Sequence, residues 1–246
     1  MTTLVKLTWI EAKLLLRDPI TVVFTLPLPL IFLFVLAEVF TRTSAEGLYR
    51  DKNAIDFYAS AYIGLVMSAV GLISLPTHIA RYREVGVLRR FRASSISKWS
   101  VIGSQIIISI VIICVSSGVL ITAISVAYDL KPPEQIGAIV AAVLLGSLTF
   151  AVLGICLGTL LPTSRSAQLA GLILFFVMLL LSGAGPPPEL LGDTLNSVAD
   201  MLPLTHVVKL IQDPWLGFGW NNTELLIVLG ILAVSGLLAI RFFKWE

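Results

Sequence analysis

Charged side chains are scarce in this sequence: Asp, Glu, Lys and Arg make up 13% of its 246 residues, while 57% of the residues are hydrophobic. About a quarter of the residues of an ordinary soluble domain are charged. Apolar windows of roughly 20 residues, the length that crosses a bilayer, recur along the chain. The composition therefore excludes a soluble domain and predicts an integral membrane protein.

Alternation of apolar and polar residues at period two is also missing, which excludes a lipid-spanning β-barrel. Residues 169–181, LAGLILFFVMLLL, are apolar on every side, as in a membrane helix. The sequence predicts one all-α transmembrane domain, residues 1–246, with six spans. These are Ile20–Phe40, Phe57–Pro76, Val101–Tyr128, Ile136–Leu160, Ser166–Gly183 and Thr223–Ile240.

Residues for bond chemistry are few. The sequence has no Gly-Lys pair, and this excludes the phosphate-binding loop of an ATPase. Cys114 and Cys156 lie in apolar runs, which is typical of small buried side chains. His78 and His206 fall on opposite predicted faces of the membrane, and His206 is expected to be a hydrogen-bonded structural residue. We predict no catalytic, cofactor-binding or metal site.

The predicted spans hold almost no ionisable residues. Glu38 and Glu224 lie near span ends, where a carboxylate reaches water, so an ion-coupled carrier is disfavoured. Pro27 and Pro29 predict a kink in the first span. Small surfaces for close helix approach are expected at Gly64, Gly71, Gly154 and Gly158. Several polar side chains could contact a substrate or form hydrogen bonds between helices: Ser68, Ser116, Ser117, Thr122, Ser147, Thr149 and Gln168.

Basic residues are unevenly distributed between the two predicted faces, and the net charge of +2 is too small to indicate nucleic-acid binding. The face with fewer holds Arg42, Arg50, Lys52, Lys131 and Lys209. The face with both termini holds twelve: Lys6, Lys13, Arg17, Arg81, Arg83, Arg89, Arg90, Arg92, Lys98, Arg165, Arg241 and Lys244. Lys and Arg favour the cytoplasmic face, so both termini are predicted to be cytoplasmic.

The first 18 residues predict a helix that lies in the membrane interface. At 100° per residue Lys6, Lys13 and Arg17 fall on one side, and Trp9 adds a ring favoured at headgroup depth. The Asp18-Pro19 pair gives a break before the first span. The alternative is that these basic residues only flank a membrane helix.

Residues 77–100 form the most basic connection. As a helix it places Val87, Leu88 and Phe91 on one face and Arg89 and Arg92 roughly opposite. The apolar edge could occupy a groove in a partner protein, or the basic residues could contact anionic phospholipid, and the residues alone leave both open.

Residues 184–222 are too long and too apolar for an ordinary solvated loop. Leu190–Leu202 and Leu204–Trp215 are predicted as short helices bounded by prolines, in a region that re-enters the membrane from outside. The alternative is that both helices pack on the surface.

Three motifs in order resemble the permeases of type-2 ABC exporters, in particular the bacterial drug-resistance branch around the daunorubicin efflux permease. They are WIEAKLLLRDPITVVFTLPLPLIFLF at 9–34, REVGVLRRFRASSISKW at 83–99, and SGAGPPPELL at 182–191 followed by MLPLTHVVKLIQDPW at 201–215. The chain departs from the family pattern at Val87, usually Thr, at Ser95, often Pro, and at the unusual triple proline 186–188.

The resemblance implies a permease subunit that performs no bond chemistry and docks on a separate ATPase. Two ATPase chains, which bind ATP and Mg, would join two permease chains, either identical or related, in a bacterial cell membrane. An apolar or amphipathic cargo, drug or lipid, would be exported. A membrane scaffold and an intramembrane enzyme are the competing functions. The family's coupling helix would be formed by Arg83, Glu84, Val87, Leu88, Arg90, Phe91 and Arg92.

Overall fold

The computed structural model of the protein describes residues 2–41, 48–94, 96–128, 130, 133 and 135–242. Within these ranges the chain forms helices and connections without a strand, and six helices are long and apolar enough to cross a membrane. The predicted all-α fold with six spans is confirmed. Several residues named above lie outside the described residues, namely Arg42, Ser95, Lys131 and Lys244 and the side chain of Arg92.

Six helical segments follow one another along the chain as spans. The second span consists of two α-helices joined by a π-helical turn. The spans are Pro19–Leu36, Ala54–Glu84, Trp99–Ala127, Ile136–Leu160, Ser164–Leu181 and Asn222–Phe242. The helices are α1 (Thr2–Leu16), α2 (Pro19–Thr25), α3 (Pro27–Thr41), α4 (Ala54–Ser68), α5 (Leu75–Glu84), α6 (Val87–Ala93), α7 (Lys98–Ala127), α8 (Ile136–Leu160), α9 (Ser164–Leu181), α10 (Asp193–Ala199), α11 (Pro203–Trp215) and α12 (Asn222–Phe242). Short 3₁₀ turns cover Tyr49–Asp51 and Pro188–Leu190.

The N-terminal helix α1 packs against α7. Its buried side chains Leu7, Glu11 and Leu15 recur every four residues and therefore share one face. The residues that the sequence assigned to an interfacial helix lie on the exposed remainder: Lys6, Trp9, Lys13 and Arg17. Its place relative to the bilayer stays a prediction.

The first span is broken between α2 and α3. Asp18 begins α2 as its N-cap, because its carboxylate accepts hydrogen bonds from the Ile20 amide at 3.2 Å and the Thr21 hydroxyl at 2.7 Å. Helix α3 starts at Pro27, which has no amide proton to continue the ladder of α2. The predicted kink in this span is confirmed.

The second span continues past its predicted end at Pro76 to Glu84. Pro76 has no amide to bond the carbonyl of Leu72, four residues earlier. The wider π-helical turn at Ala69–Ser74 lies directly before this position and accommodates the missing bond without ending the helix.

The second span is the core of the bundle. In its most apolar stretch 94% of the residues are buried, against 17% to 61% in the other five spans. It contacts α2, α3, α7, α8, α9 and α11. The other spans are therefore arranged around it.

Glycines allow α8 and α9 to approach the second span closely. A Cβ at Gly154 would overlap the carbonyl oxygen of Gly71, and a Cβ at Gly171 would overlap that of Leu72. Gly64 and Gly158 also face neighbouring helices, so the prediction of small surfaces at these four glycines is confirmed. Gly171 was not predicted. Its partner is the Leu72 carbonyl that Pro76 leaves without a helical hydrogen bond.

Helix α11 is almost completely buried between α4, α8 and α12. Its Val208 side chain lies against Gly64, and its Val207 side chain lies against Gly146. Both glycines lie about 15 Å along their helices from the first residue, roughly half of the ~30 Å hydrocarbon core. The two predicted outer helices are present as α10 and α11, with α10 shorter than expected.

We expect Gly171→Ala to destabilise the protein by about 1–3 kcal/mol, because the added Cβ must displace backbone rather than a flexible side chain. Gly118→Ala in α7 is the matched control, since nothing lies within 4 Å of its added Cβ. The control should be neutral or up to about 1 kcal/mol more stable. Thermal unfolding in detergent measures both, and equal midpoints would contradict the close approach of α9.

Candidate functional site

The end of the bundle at residues 77–100 and 161–163, here called the α6 end, begins with a tight turn after α5. The Val85 amide donates to the Arg81 carbonyl at 2.9 Å, and the Gly86 amide donates to the Arg83 carbonyl at 3.1 Å. Gly86 has φ of 72°, a conformation that strains other residues. The turn lets α6 start immediately after the second span.

The apolar face predicted for α6 packs on its own chain. Leu88 is only 1% exposed and clusters with Tyr82 and Val101, while Val87 and Phe91 are partly buried against the same cluster. The Phe91 ring meets the Tyr82 ring edge-on with centroids 6.2 Å apart. Leu88 therefore packs on α5 and α7 of its own chain, and contact of the partly exposed Val87 and Phe91 with a partner stays a prediction.

The exposed side of α6 is basic. Arg89 and Arg90 are exposed, and Val85, which precedes the helix, is 57% exposed. We call these three residues the α6 surface. It is the part of the predicted coupling segment that a partner can reach.

Arg83 and Glu84 hold the turn between α8 and α9. Arg83 donates to the Thr159 carbonyl at 2.9 Å and also to the Leu161 carbonyl, at the C-terminal end of α8. Glu84 accepts from the Ser164 amide at 3.1 Å and from its hydroxyl at 2.8 Å, at the first residue of α9. A cation at a helix C-terminus and an anion at a helix N-terminus both stabilise the helix ends. These two residues thus have partners within the chain.

Glu11 connects α1 to the α6 end. Its carboxylate accepts a hydrogen bond from the Tyr82 hydroxyl at 2.7 Å, and the side chain is only 1% exposed. Burial raises the pKa of Glu11, and the hydrogen bond from Tyr82 opposes this rise. The sequence did not indicate this role. Glu11 shares the four-residue spacing of Leu7 and Leu15, which is typical of an apolar helix face.

The opposite end, residues 48–53 and 182–222, is here called the α11 end, and it is organised by a buried pair. His206 Nδ1 lies 2.7 Å from Glu224 Oε2, and Nε2 lies 2.9 Å from the Asp200 carbonyl oxygen. A carbonyl only accepts, so Nε2 carries a proton and the pair shares a further one between Nδ1 and Oε2. His206 is a hydrogen-bonded structural residue, as predicted, and Glu224 is 8% exposed in the wall of the polar cavity at this end.

Further ion pairs surround a polar cavity of about 580 Å³ at the α11 end. Arg50 donates to Asp213 at 2.6 Å, and Lys209 donates to Asp200 at 2.9 Å. The Arg50 amide also donates to Glu189 at 3.1 Å. Arg50 has φ of 57°, a left-handed conformation that these two contacts maintain.

The polar residues of the spans mostly bond within their own helices. The Ser68 hydroxyl donates to the Leu65 carbonyl, and the Thr149 hydroxyl donates to the Leu145 carbonyl, both at 2.8 Å. Ser147 and Thr122 make the same kind of bond. Among the described residues these four hydroxyls bond within their own helices, and their contact with a substrate stays a prediction. Gln168 lies half-buried in α9.

A helical bundle with six membrane-spanning helices, an exposed basic helix at one end and no metal-binding cluster within its described residues belongs to the class of multi-pass membrane proteins. The match of the amino-acid sequence to a family model shows which protein family the chain belongs to. The chain belongs to the ABC-2 type transporter family, whose family model matches residues 2–214. It is thus the membrane-spanning permease subunit of an ABC transporter, a kind of subunit that works with an ABC ATPase. No curated protein matches the chain.

We expect Glu224→Ala to destabilise the protein by about 3 kcal/mol, because it leaves buried His206 without its partner. Asp200→Ala removes the partner of Lys209 from an exposed pair and should cost about 1 kcal/mol or less. Thermal unfolding of the purified variants measures both changes. An equal loss in the two variants would show that burial of the His206 pair contributes nothing.

Proposed function

We propose that this permease belongs to an ATP-driven exporter of the drug-resistance branch and that its ATPase docks on the α6 surface. One observation carries the proposal. Helix α6 follows the most buried span of the protein through a two-residue turn, and its basic side chains Arg89 and Arg90 are exposed. A force applied to α6 is therefore delivered to the core of the bundle.

Contacts made by α6 and by the last residues of α5 support transmission of such a force. Leu88 and Phe91 pack on α5 and α7, while Arg83 and Glu84 bond the ends of α8 and α9. Protein interiors are close-packed and have low compressibility, so displacement of α6 moves its neighbours with it. The predicted roles of the inward-facing residues thereby change from contacting the ATPase to connecting α6 with the spans.

An exposed apolar stripe on α9, which lipid would otherwise cover, is the surface on which we propose that a second permease chain packs. On α9 a stripe of large side chains at helical spacing is exposed: Leu169, Ile173, Phe176, Val177 and Leu180. A second copy, or a related chain, would cover such a stripe across a twofold axis. The pathway would then form between the two chains, each binding one ATPase that holds ATP and Mg.

The cargo we propose is apolar or amphipathic, such as a drug or lipid. The exposed side chains along α7 and α9 are mainly apolar, and a strongly charged cargo would lack partners there. We place both termini, α1 and the α6 surface on the cytoplasmic side of a bacterial cell membrane because Lys and Arg concentrate there. The α11 end would face outward with α11 re-entering the membrane.

The docking proposal is tested with Arg89→Glu and Arg90→Glu. We expect affinity for the purified ATPase to fall by about tenfold, since each variant reverses an exposed charge in the interface. Arg241→Glu is the control, because it makes the same charge change on an exposed residue of α12 at the same predicted face. Phe91 is unsuitable, since it packs inward.

Co-purification and surface binding assays give the affinities, and uptake of rhodamine 6G into inverted vesicles gives transport. If Arg89→Glu and Arg90→Glu lose ATPase binding and Arg241→Glu keeps it, the coupling role is supported. Equal binding in all variants overturns it. Intact binding with no ATP-dependent uptake of any amphipathic probe by the wild type would favour the scaffold function instead.

A further inference from the structure

The docking role proposed for α6 makes no use of the buried carboxyl of Glu11. Its Oε1 is bonded to the Tyr82 hydroxyl, but its Oε2 has no hydrogen-bond partner among the described residues. The same is true of both polar atoms of the Gln105 side chain, which is 0% exposed on α7. Buried polar groups are normally satisfied, so these three atoms require an explanation.

A neutral carboxyl group gives a partner to two of them. The groups that face Glu11 are the Tyr82 hydroxyl from α5 and the Gln105 amide from α7. An ionised Glu11 would hold a negative charge away from water with the Tyr82 hydroxyl as its one hydrogen-bond donor among the described residues. A protonated Glu11 instead donates from Oε2 to the Gln105 Oε1, while its own Oε1 continues to accept from Tyr82. Burial, which raises the pKa of Glu11, favours the same state.

Tyr82 connects the Glu11 carboxyl to α6. Tyr82 belongs to the cluster on which Leu88 packs, and its ring contacts Phe91. Glu11 thereby determines where the Tyr82 ring lies, and the ring determines how α6 is seated. Helix α1 is connected to α6 through one hydrogen bond and one ring contact.

We propose that Glu11 is a positioning residue for α6: as a neutral carboxylic acid it joins α1 to Tyr82 and Gln105 and so fixes the orientation of the α6 surface. This inference rests on the proposed function, because it assumes that the ATPase docks on that surface.

The test measures binding of the purified ATPase to the detergent-solubilised permease. Glu11→Gln keeps a neutral group of the same size, so its affinity should stay within about twofold of the wild type. Glu11→Asp is too short to reach both partners, and Glu11→Ala has no polar group. Both should weaken binding by about tenfold. Val5→Ala, on the exposed side of α1, is the control and should bind as the wild type does.

Tyr82→Phe is a second test in case Glu11→Ala fails to fold, because it removes only the hydroxyl that bonds Glu11. It should weaken binding as Glu11→Ala does, and the double variant should be no weaker than either one, because both break one connection. An infrared band of a protonated carboxyl group that is present in the wild type and lost in Glu11→Gln would identify the neutral state without any ATPase.

Two outcomes overturn the inference in distinguishable ways. If the wild type binds the ATPase and Glu11→Ala binds equally well, Glu11 has no positioning role and the proposed function stands. If Glu11→Gln is as weak as Glu11→Ala, or if the infrared band is missing, the carboxyl acts as a charge and the neutral contact is wrong. If the wild type does not bind the ATPase, the proposed function and the positioning role both fail.

Discussion

Burial of the second span is the constraint on which the other helices depend. In lipid no hydrophobic force drives one apolar helix onto another, so association depends on close van der Waals contact and on polar bonds. Gly71, Gly154 and Gly171 allow backbones to touch where a side chain would hold them apart. Pro76 is tolerated in the middle of this long helix because the wider π-helical turn directly before it accommodates the missing backbone hydrogen bond.

Charged groups fix the two ends of the bundle. At the α6 end Arg83 and Glu84 satisfy the ends of α8 and α9, and at the α11 end the pair of His206 and Glu224 joins α11 to α12. Buried pairs contribute little net energy compared with apolar packing, but breaking one is costly. Their main effect here is to specify which helix ends meet.

Both functional regions contact the same span. Helix α6 is attached to its last turn, and α11 packs against it at Gly64, about a third of the way along. Because protein interiors are close-packed and have low compressibility, the helix transmits a displacement between these two contacts. In the proposed exporter, a displacement that the ATPase imposes on α6 would reach α11 along this helix. The first span, broken at Pro27, lies beside it and packs against it through both α2 and α3.

The six spans, the kink at Pro27 and the two faces of α6 could be predicted from the sequence, because each depends on a local run of residues. The sequence also indicated the family, through three motifs in a fixed order. The partners of Glu11, Arg83 and Glu224 became apparent only in the folded chain. These contacts join residues far apart in the chain, and a carboxylate looks solvated from sequence until the fold shows what covers it. Ser68 shows the opposite case, because its hydroxyl bonds the carbonyl of Leu65, three residues earlier in the same helix.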